Sequence, residues 1–219
     1  ISPENNNFKI VNGKLLIGKS NPNSEIFDVL LMALRDIKHA VIPSYIKHIS
    51  SFCFKDCKDI KIIEFQPNSE LVSIGKYAFA DSSIECITIP ENCKRIGVFC
   101  FNNTSKLMKV EFPMNSKLEI IPKKAFCSSS IKDVIFPPSV SMLKEKGFSK
   151  CPNLTNVFLG ESICLHKKSF NKCNNLVIVE FVNASKIHIH NNTFVDQPGV
   201  QILIKNKKKK NDSLNLYNQ

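Results

Sequence analysis

The sequence predicts an α/β-type repeat solenoid, because one short cassette recurs along most of the 219-residue chain. The cassette has the pattern apolar-x-x-apolar-x-apolar, and its first apolar position returns about every 23 residues. A second apolar pair follows it, and then a small residue directly before a phenylalanine. Such a fixed period is typical of a stack of units, in which each unit buries its apolar face only against its neighbours.

The cassette itself predicts one short β-strand in every unit. Its first apolar position falls at Ile37, Ile60, Ile84, Leu107, Ile131, Leu154 and Leu176. The later positions alternate between apolar and other residues, as they do in a strand that buries one face. Proline follows the cassette in several copies, at Pro43, Pro90, Pro113 and Pro137. We expect each of these strands to end there, because proline donates no backbone hydrogen bond.

The second half of each unit contributes a column of phenylalanines. The column consists of Phe54, Phe79, Phe101, Phe126, Phe148, Phe170 and Phe194. The preceding residue is always small: Cys53, Ala78, Cys100, Ala125, Gly147, Ser169 and Thr193. Each ring would bury roughly 150–250 Å². The column is therefore predicted to form much of the core in a chain that has no tryptophan.

The chain divides into three parts. Residues 1–36 are predicted to form an N-terminal cap. Asn12-Gly13 between two apolar runs predicts a hairpin. The apolar residues of Glu25–Arg35 have helical spacing, which predicts a short helix. Residues 37–204 are predicted to form the solenoid, with about seven repeats. Residues 205–219 are predicted to be a basic, disordered tail.

Composition bounds the class of protein. A hydrophobic content of 43% is enough for a continuous core. The sequence has no long apolar run, so we expect no membrane span. The net charge is +11, and Lys205 and Lys207–Lys210 contribute five of the positive charges. This cluster could contact nucleic acid, anionic lipid or glycosaminoglycan. A nucleic-acid partner is disfavoured, because no aromatic residues are interleaved for base stacking.

The nine cysteines and five histidines leave alternatives open. Most cysteines fall at repeat positions that are predicted to be packed in the core. A disulfide between Cys151 and Cys173 is an alternative for that pair. Cys86 is predicted to be an outward-facing reactive thiol. His166, His188 and His190 are predicted to be ordinary outward-facing residues, and a metal site or a pH-sensitive edge is the alternative. We expect no cofactor and no metal. No catalytic motif is present, and Cys164 near His166 lacks a third orienting group in the sequence.

One run of residues resembles a known family. Ile89-Pro90, Ile96-Gly97 and Phe101, together with the segment from Ser69 to Phe79, resemble the BspA-like leucine-rich repeats. These are the Treponema pallidum-type repeats of bacterial and trichomonad surface proteins, and the Asn-Ser insertions before Leu71 and Leu118 are most similar to the trichomonad branch. The resemblance covers about residues 37–197. It implies a curved solenoid with short parallel strands on its concave face, display at a cell surface, and adhesion.

The resemblance also implies where a partner would bind. The positions between the buried residues of each cassette would face outward on the concave side. We predict a partner-binding surface formed by Glu64, Thr88, Met108, Glu111, Ile135, Phe158, Ile178 and Glu180. The function hypothesis is a non-enzymatic recognition or adhesion module at the cell surface or outside the cell, which binds a host or matrix protein. The alternative is a cytoplasmic scaffold for protein–protein interactions with the same fold.

Overall fold

The computed structural model describes residues 5–195, 197 and 199–205, and every regular element in that part of the chain is a β-strand. The α/β assignment was therefore wrong, and the solenoid is built from strands and turns. No helix among the described residues is long and apolar enough to cross a membrane. The strands are β1 (Phe8–Val11), β2 (Leu15–Gly18), β3 (Val29–Ala33), β4 (His39–Ile42), β5 (His48–Ile49), β6 (Ile62–Phe65), β7 (Ser73–Ile74), β8 (Cys86–Thr88), β9 (Arg95–Ile96), β10 (Lys109–Glu111), β11 (Ile120–Ile121), β12 (Asp133–Ile135), β13 (Met142–Leu143), β14 (Asn156–Leu159), β15 (Ser162–Leu165), β16 (Ile178–Val182), β17 (Lys186–Ile189) and β18 (Gln201–Lys205).

The strands form two stacks, and each turn of the solenoid adds one strand to each stack. The first stack contains the even-numbered strands from β4 to β18, and it consists of two parallel sheets that meet at β10 and β12. At this junction the backbone N–H of Lys132 donates to the carbonyl of Met108 at 3.3 Å. The second stack contains the odd-numbered strands from β3 to β17, with the β1–β2 hairpin at its first edge.

The first stack has eight strands in the described part of the chain, one more than the number of repeats predicted. The additional strand is β18, which pairs in parallel with β16. In the register of this pair Ile202 and Ile204 lie opposite Val179 and Phe181, so the cassette starts at Gly199, about one period after Leu176. Glycine in place of the first apolar residue hid the repeat in the sequence. Lys205 is the last residue of this strand, and the rest of the predicted tail, residues 206–219, lies outside the described residues.

The cassettes bury the residues that the pattern predicts. The first apolar position of every predicted copy is buried, from Ile37 to Leu176. Strands β4, β8, β10 and β12 all end before the proline that follows them, as predicted. Where Gly160 and Val182 replace that proline, β14 and β16 have four and five residues, compared with three in β8, β10 and β12 and four in β4. The strand length in the first stack therefore does not follow from this proline alone.

The phenylalanine column runs through the interior. Its first six rings are fully buried, and Phe194 at the end of the column is partly buried. Neighbouring rings are stacked, with centroids 5.0 Å apart for Phe79 and Phe101 and 4.9 Å apart for Phe101 and Phe126. The chain turns sharply around each of the first six rings, because the residues two before and two after the ring adopt a positive φ, as at Phe99 (60°) and Asn103 (58°). The column is the continuous core of the turn side.

The N-terminal hairpin has the predicted turn. Strands β1 and β2 pair antiparallel, and Asn12 and Gly13 between them have φ values of 52° and 67°. A positive φ at both central residues is what a type I′ turn requires, and the N–H of Lys14 donates to the carbonyl of Val11 at 3.2 Å. Three residues, from Asn12 to Lys14, separate the paired Val11 and Leu15.

The predicted helix over Glu25–Arg35 is absent, and this prediction was wrong. The segment contains β3, which lies antiparallel to β2 and parallel to β5. Ile17 pairs with Leu30 and Leu16 pairs with Met32, so Leu31 has no partner in β2 and β3 has a bulge there. The bulge lets Leu30 and Ala33, three residues apart, both face the core. This spacing imitates a helix in the sequence.

Candidate functional site

The outward-facing surface of the first stack, which we call the strand face, brings the predicted site residues together. The strands are in register, so the central outward residues form a column: Val41, Glu64, Thr88, Glu111, Ile135, Phe158 and Glu180. The residues on either side of the central positions are buried, apart from the half-buried Phe65, and they anchor the strand, as Val134 and Phe136 do around Ile135. The geometry of this surface therefore follows directly from the alternation within each cassette.

The middle of the strand face is apolar. Met108, Met114 and Ile135 are 57%, 67% and 59% exposed, which is unusual for side chains of this size in one place. With Phe112, they line a concavity of about 1040 Å³. The sequence prediction missed Met114, which lies in the loop with the Asn-Ser insertion. An apolar residue in an otherwise polar inserted loop is the signal that could have identified it.

Charged and polar side chains border this apolar centre. On one side the ammonium of Lys109 lies 2.5 Å from Glu111 Oε1, and the hydroxyl of Thr88 donates to Glu111 Oε2 at 2.8 Å. These two hydrogen bonds, the one from Lys109 first, lower the pKa of the Glu111 carboxyl. On the other side Asp133 accepts hydrogen bonds from Thr155 and Asn156.

A second concavity of about 690 Å³ adjoins the first and shares Thr88 and Glu111 in its lining. It extends over Ile62 and Glu64 towards the N-terminal end of the stack. Glu64 is paired with His39, with 3.3 Å between Oε1 and Nε2. Five of the eight predicted residues thus surround one continuous surface: Glu64, Thr88, Met108, Glu111 and Ile135.

The other three predicted residues lie towards the C-terminal end and are less accessible. Phe158 is next to Ile135 across the strand pair, as predicted, but it is only half exposed, and so is Ile178. Glu180 is buried, because the unpredicted strand β18 covers it and Lys205 Nζ lies 2.7 Å from its Oε2. The expectation that Glu180 faces solvent was therefore wrong.

The second stack carries a separate group, the sulfur–histidine cluster of Cys164, His166, His188 and His190. Cys164 is directly opposite His188 in the register of β15 and β17. The rings of His166 and His190 lie 4.8 Å apart, and those of His188 and His190 lie 4.7 Å apart. Burial, followed by the positive charge of Lys144, lowers the pKa of His166. The sequence places no third functional group near Cys164 and His166, but the structure brings His190 from the next turn next to them.

The cysteines are all free, and seven of them are buried. Cys53 and Cys100 fill the small position before the phenylalanine, as predicted. Cys151 and Cys173 are free thiols that donate to the carbonyls of Phe126 (3.2 Å) and Phe148 (2.9 Å). Cys86 is exposed, as predicted, and Cys164 is half exposed.

Alkylation should separate these thiols. We expect iodoacetamide to modify Cys86 fastest and Cys164 next, while the seven buried thiols remain unmodified in the folded protein. Only the thiolate reacts, and burial raises the pKa of Cys93 to about 12 and that of Cys100 well above its usual range. Peptide mass spectrometry after timed exposure measures the order, and urea-unfolded protein is the control. Early modification of Cys100 would contradict this packing.

Comparison with known proteins identifies the family. The model of the BspA type leucine-rich repeat region matches six copies, over residues 25–155 and 112–213. No curated protein sequence matches the chain. A leucine-rich repeat protein from Eubacterium ventriosum has a similar structure, with a TM-score of 0.67 and 23% identity over 80% of this chain.

That comparison covers only 46% of the Eubacterium structure, so this chain spans less than half of that protein. The Treponema pallidum leucine-rich repeat protein is also similar, with a TM-score of 0.54 and 18% identity over 90% of this chain and 86% of the other. At these identities the two structures support the fold alone, whereas the family model matches most of the chain. The chain is a member of the BspA-type leucine-rich repeat family.

Proposed function

We propose that this chain is a non-enzymatic protein-interaction module that binds its partner through the strand face. The observation that carries the proposal is the cluster of Met108, Met114 and Ile135, which are exposed together at the centre of the face. An apolar centre within a polar rim is the arrangement in which a few side chains supply most of the binding energy of a protein interface.

The shape of the surface favours a protein over a small molecule. A small-molecule pocket encloses most of its ligand. Here the three lining side chains of the apolar centre are each more than half exposed, and the adjoining concavities cover strands β6 to β12. A partner on this surface contacts several turns of the solenoid at once. The rim offers both signs of charge, in Lys109, Glu111, Lys132 and Asp133.

The partner class that we propose is a host-cell or extracellular-matrix protein, met at a cell surface. This part of the proposal rests on the family, whose repeats occur in surface proteins, and on the open apolar centre. It requires that the strand face be accessible from outside the cell. Labelling of intact cells with a membrane-impermeant reagent that reacts with Cys86, which lines the second concavity, tests that requirement.

The binding test compares two double variants. Met108→Ser with Ile135→Ser removes two of the three residues of the apolar centre, and Met32→Ser with Ile120→Ser is the control on the second stack, where both residues are also exposed. We expect the first variant to bind a purified matrix protein about 30-fold more weakly, which corresponds to about 2 kcal/mol for a binding hot spot. Biolayer interferometry against a panel of purified matrix proteins measures the affinities. Equal losses in the two variants, or no binding to any member of the panel by the unaltered chain, would contradict the proposal.

One observation favours a second candidate function, an intracellular scaffold that uses the same face. Seven buried thiols are free, and two of them serve as hydrogen-bond donors to backbone carbonyls. Free thiols persist most readily in reducing compartments. Thiol counting in the unfolded protein isolated from its own cells, together with surface labelling, distinguishes the two: nine free thiols without surface labelling support the scaffold.

A further inference from the structure

We propose that Cys164, His166 and His190 form a binding site for a divalent transition metal, with Zn²⁺ as the best match. The thiol sulfur and the ring nitrogens of these three residues all lie within 4.8 Å of one another. One thiolate and two imidazoles are the donor types that Zn²⁺ prefers. The site lies on the second stack, apart from the strand face, and does not depend on the proposed function.

The backbone places all three side chains on one surface. Ile163 and Leu165 in β15 are buried, so Cys164 and His166 between and after them face outward. In the next turn His188 and His190 alternate in the same way around Ile189. The parallel register sets Cys164 opposite His188, and one step further it sets His166 beside His190. The result is a two-by-two array across two neighbouring turns.

The backbone of both ring ligands is held in place. The N–H of His166 donates to the carbonyl of Leu143, and the N–H of His190 donates to that of Leu165, each at 2.9 Å. The hydroxyls of Ser169 and Thr193 donate to the carbonyls of His166 and His190. Only side-chain rotation is therefore needed to close the site.

The required movement is small. Around tetrahedral Zn²⁺, bond lengths near 2.0–2.3 Å place neighbouring ligand atoms about 3.3–3.6 Å apart. The three ligand atoms are within 4.8 Å, so they have to approach by about one ångström. His190 is exposed and can rotate towards its partners. His188 is exposed as well and lies in edge contact with His190.

The same columns in the other turns have no such set of donors. The column of His166 and His190 carries Ser50, Gly75, Gly97, Pro122 and Lys144 in the preceding turns. The column of Cys164 and His188 carries His48, Ser73, Arg95, Ile120 and Met142. The fold thus requires no particular residue type at these outward positions. Packing accounts for the seven buried cysteines, but it does not account for Cys164 next to two histidines.

The test uses the reduced chain without a polyhistidine tag. We expect Co²⁺ to bind at one site per chain and to give thiolate-to-metal charge-transfer absorption, which Zn²⁺ then abolishes by displacement. Cys164→Ser should remove the charge-transfer band. His166→Ala and His190→Ala should each weaken Zn²⁺ binding in calorimetry by about tenfold or more, since a metal ligand matters at least as much as the groups that orient it.

Two substitutions are matched controls, because they remove the same residue types elsewhere. Cys86→Ser and His39→Ala should leave the absorption and the Zn²⁺ affinity unchanged. Zn²⁺ should also slow the alkylation of Cys164 and leave that of Cys86 unaffected. The proposal is overturned if Co²⁺ gives no charge-transfer band, if the His166→Ala/His190→Ala double variant binds Zn²⁺ as the unaltered chain does, or if Zn²⁺ protects both thiols equally.

Discussion

Replacing Phe101 by alanine is expected to lower the free energy of unfolding by about 3–5 kcal/mol, the usual cost of removing a fully buried aromatic ring. Phe101 has no exposed surface and stacks on both Phe79 and Phe126. The cavity cannot close, because backbone hydrogen bonds fix the spacing of the turns on either side: the N–H of Phe101 donates to Ala125 at 2.7 Å. Urea unfolding followed by far-ultraviolet circular dichroism measures the loss.

Phe52→Ala is the matched control for this prediction. Phe52 also stacks on an aromatic neighbour, Tyr77, with centroids 5.3 Å apart, but its side chain is half exposed. We expect this substitution to cost about 1 kcal/mol, which is the order of an aromatic pair contact at a surface. If the two substitutions shift the urea midpoint equally, the phenylalanine column is not the main source of core stability.

Replacing Gly97 by alanine is expected to destabilise the solenoid by about 1–3 kcal/mol, the range for overpacking in a well-packed interior. An added Cβ would lie against the backbone N of Lys76 and only 2.5 Å from the carbonyl carbon and 2.7 Å from the carbonyl oxygen of Gly75. All three contacts are to backbone atoms of the previous turn, which a side-chain rotation cannot relieve. The two turns would have to separate, and β7 and β9 pair at this place.

Thermal denaturation measures this effect, and hydrogen exchange locates it. The amides of β9 should lose protection in the Gly97→Ala protein, while those of β16 should keep it. Gly199→Ala is the control, because an added Cβ there meets no atom within 4 Å. A Gly97→Ala protein as stable as this control would show that the turns have more room at this position than the structure indicates.

The fold could be predicted from the sequence because each feature of a turn is set within a few residues. Alternation fixed the buried face of every strand, proline fixed where several strands end, and Asn12-Gly13 fixed the hairpin turn. The prediction failed where a strand had the residue spacing of a helix, and where a residue interrupted the apolar pattern of the cassette. The bulge at Leu31 gave β3 the spacing of a helix, and Gly199, in place of the first apolar residue of the cassette, hid the eighth strand of the first stack.

The candidate sites depended more on contacts between turns. The outward positions of Met108 and Ile135 could be inferred from one cassette each, but the burial of Glu180 required knowledge that β18 lies over it. Cys164 and His190 are 26 residues apart in the sequence, and they are close in space because of the register of β15 and β17. That register can be inferred from the sequence only when the period of the repeat is known. Sequence spacing places residues in columns, and the register determines which columns meet.

The ladder of hydrogen bonds between successive turns has a consequence for how the protein folds. Nearly every contact that stabilises a turn comes from the turn before it or after it, at a similar separation along the chain. Folding can therefore start wherever two adjacent turns first become stable and then extend in both directions, as in a one-dimensional cooperative chain. A defect in the middle of such a chain uncouples the parts on either side of it. Damage at the ends shortens the folded array and leaves the remaining turns intact.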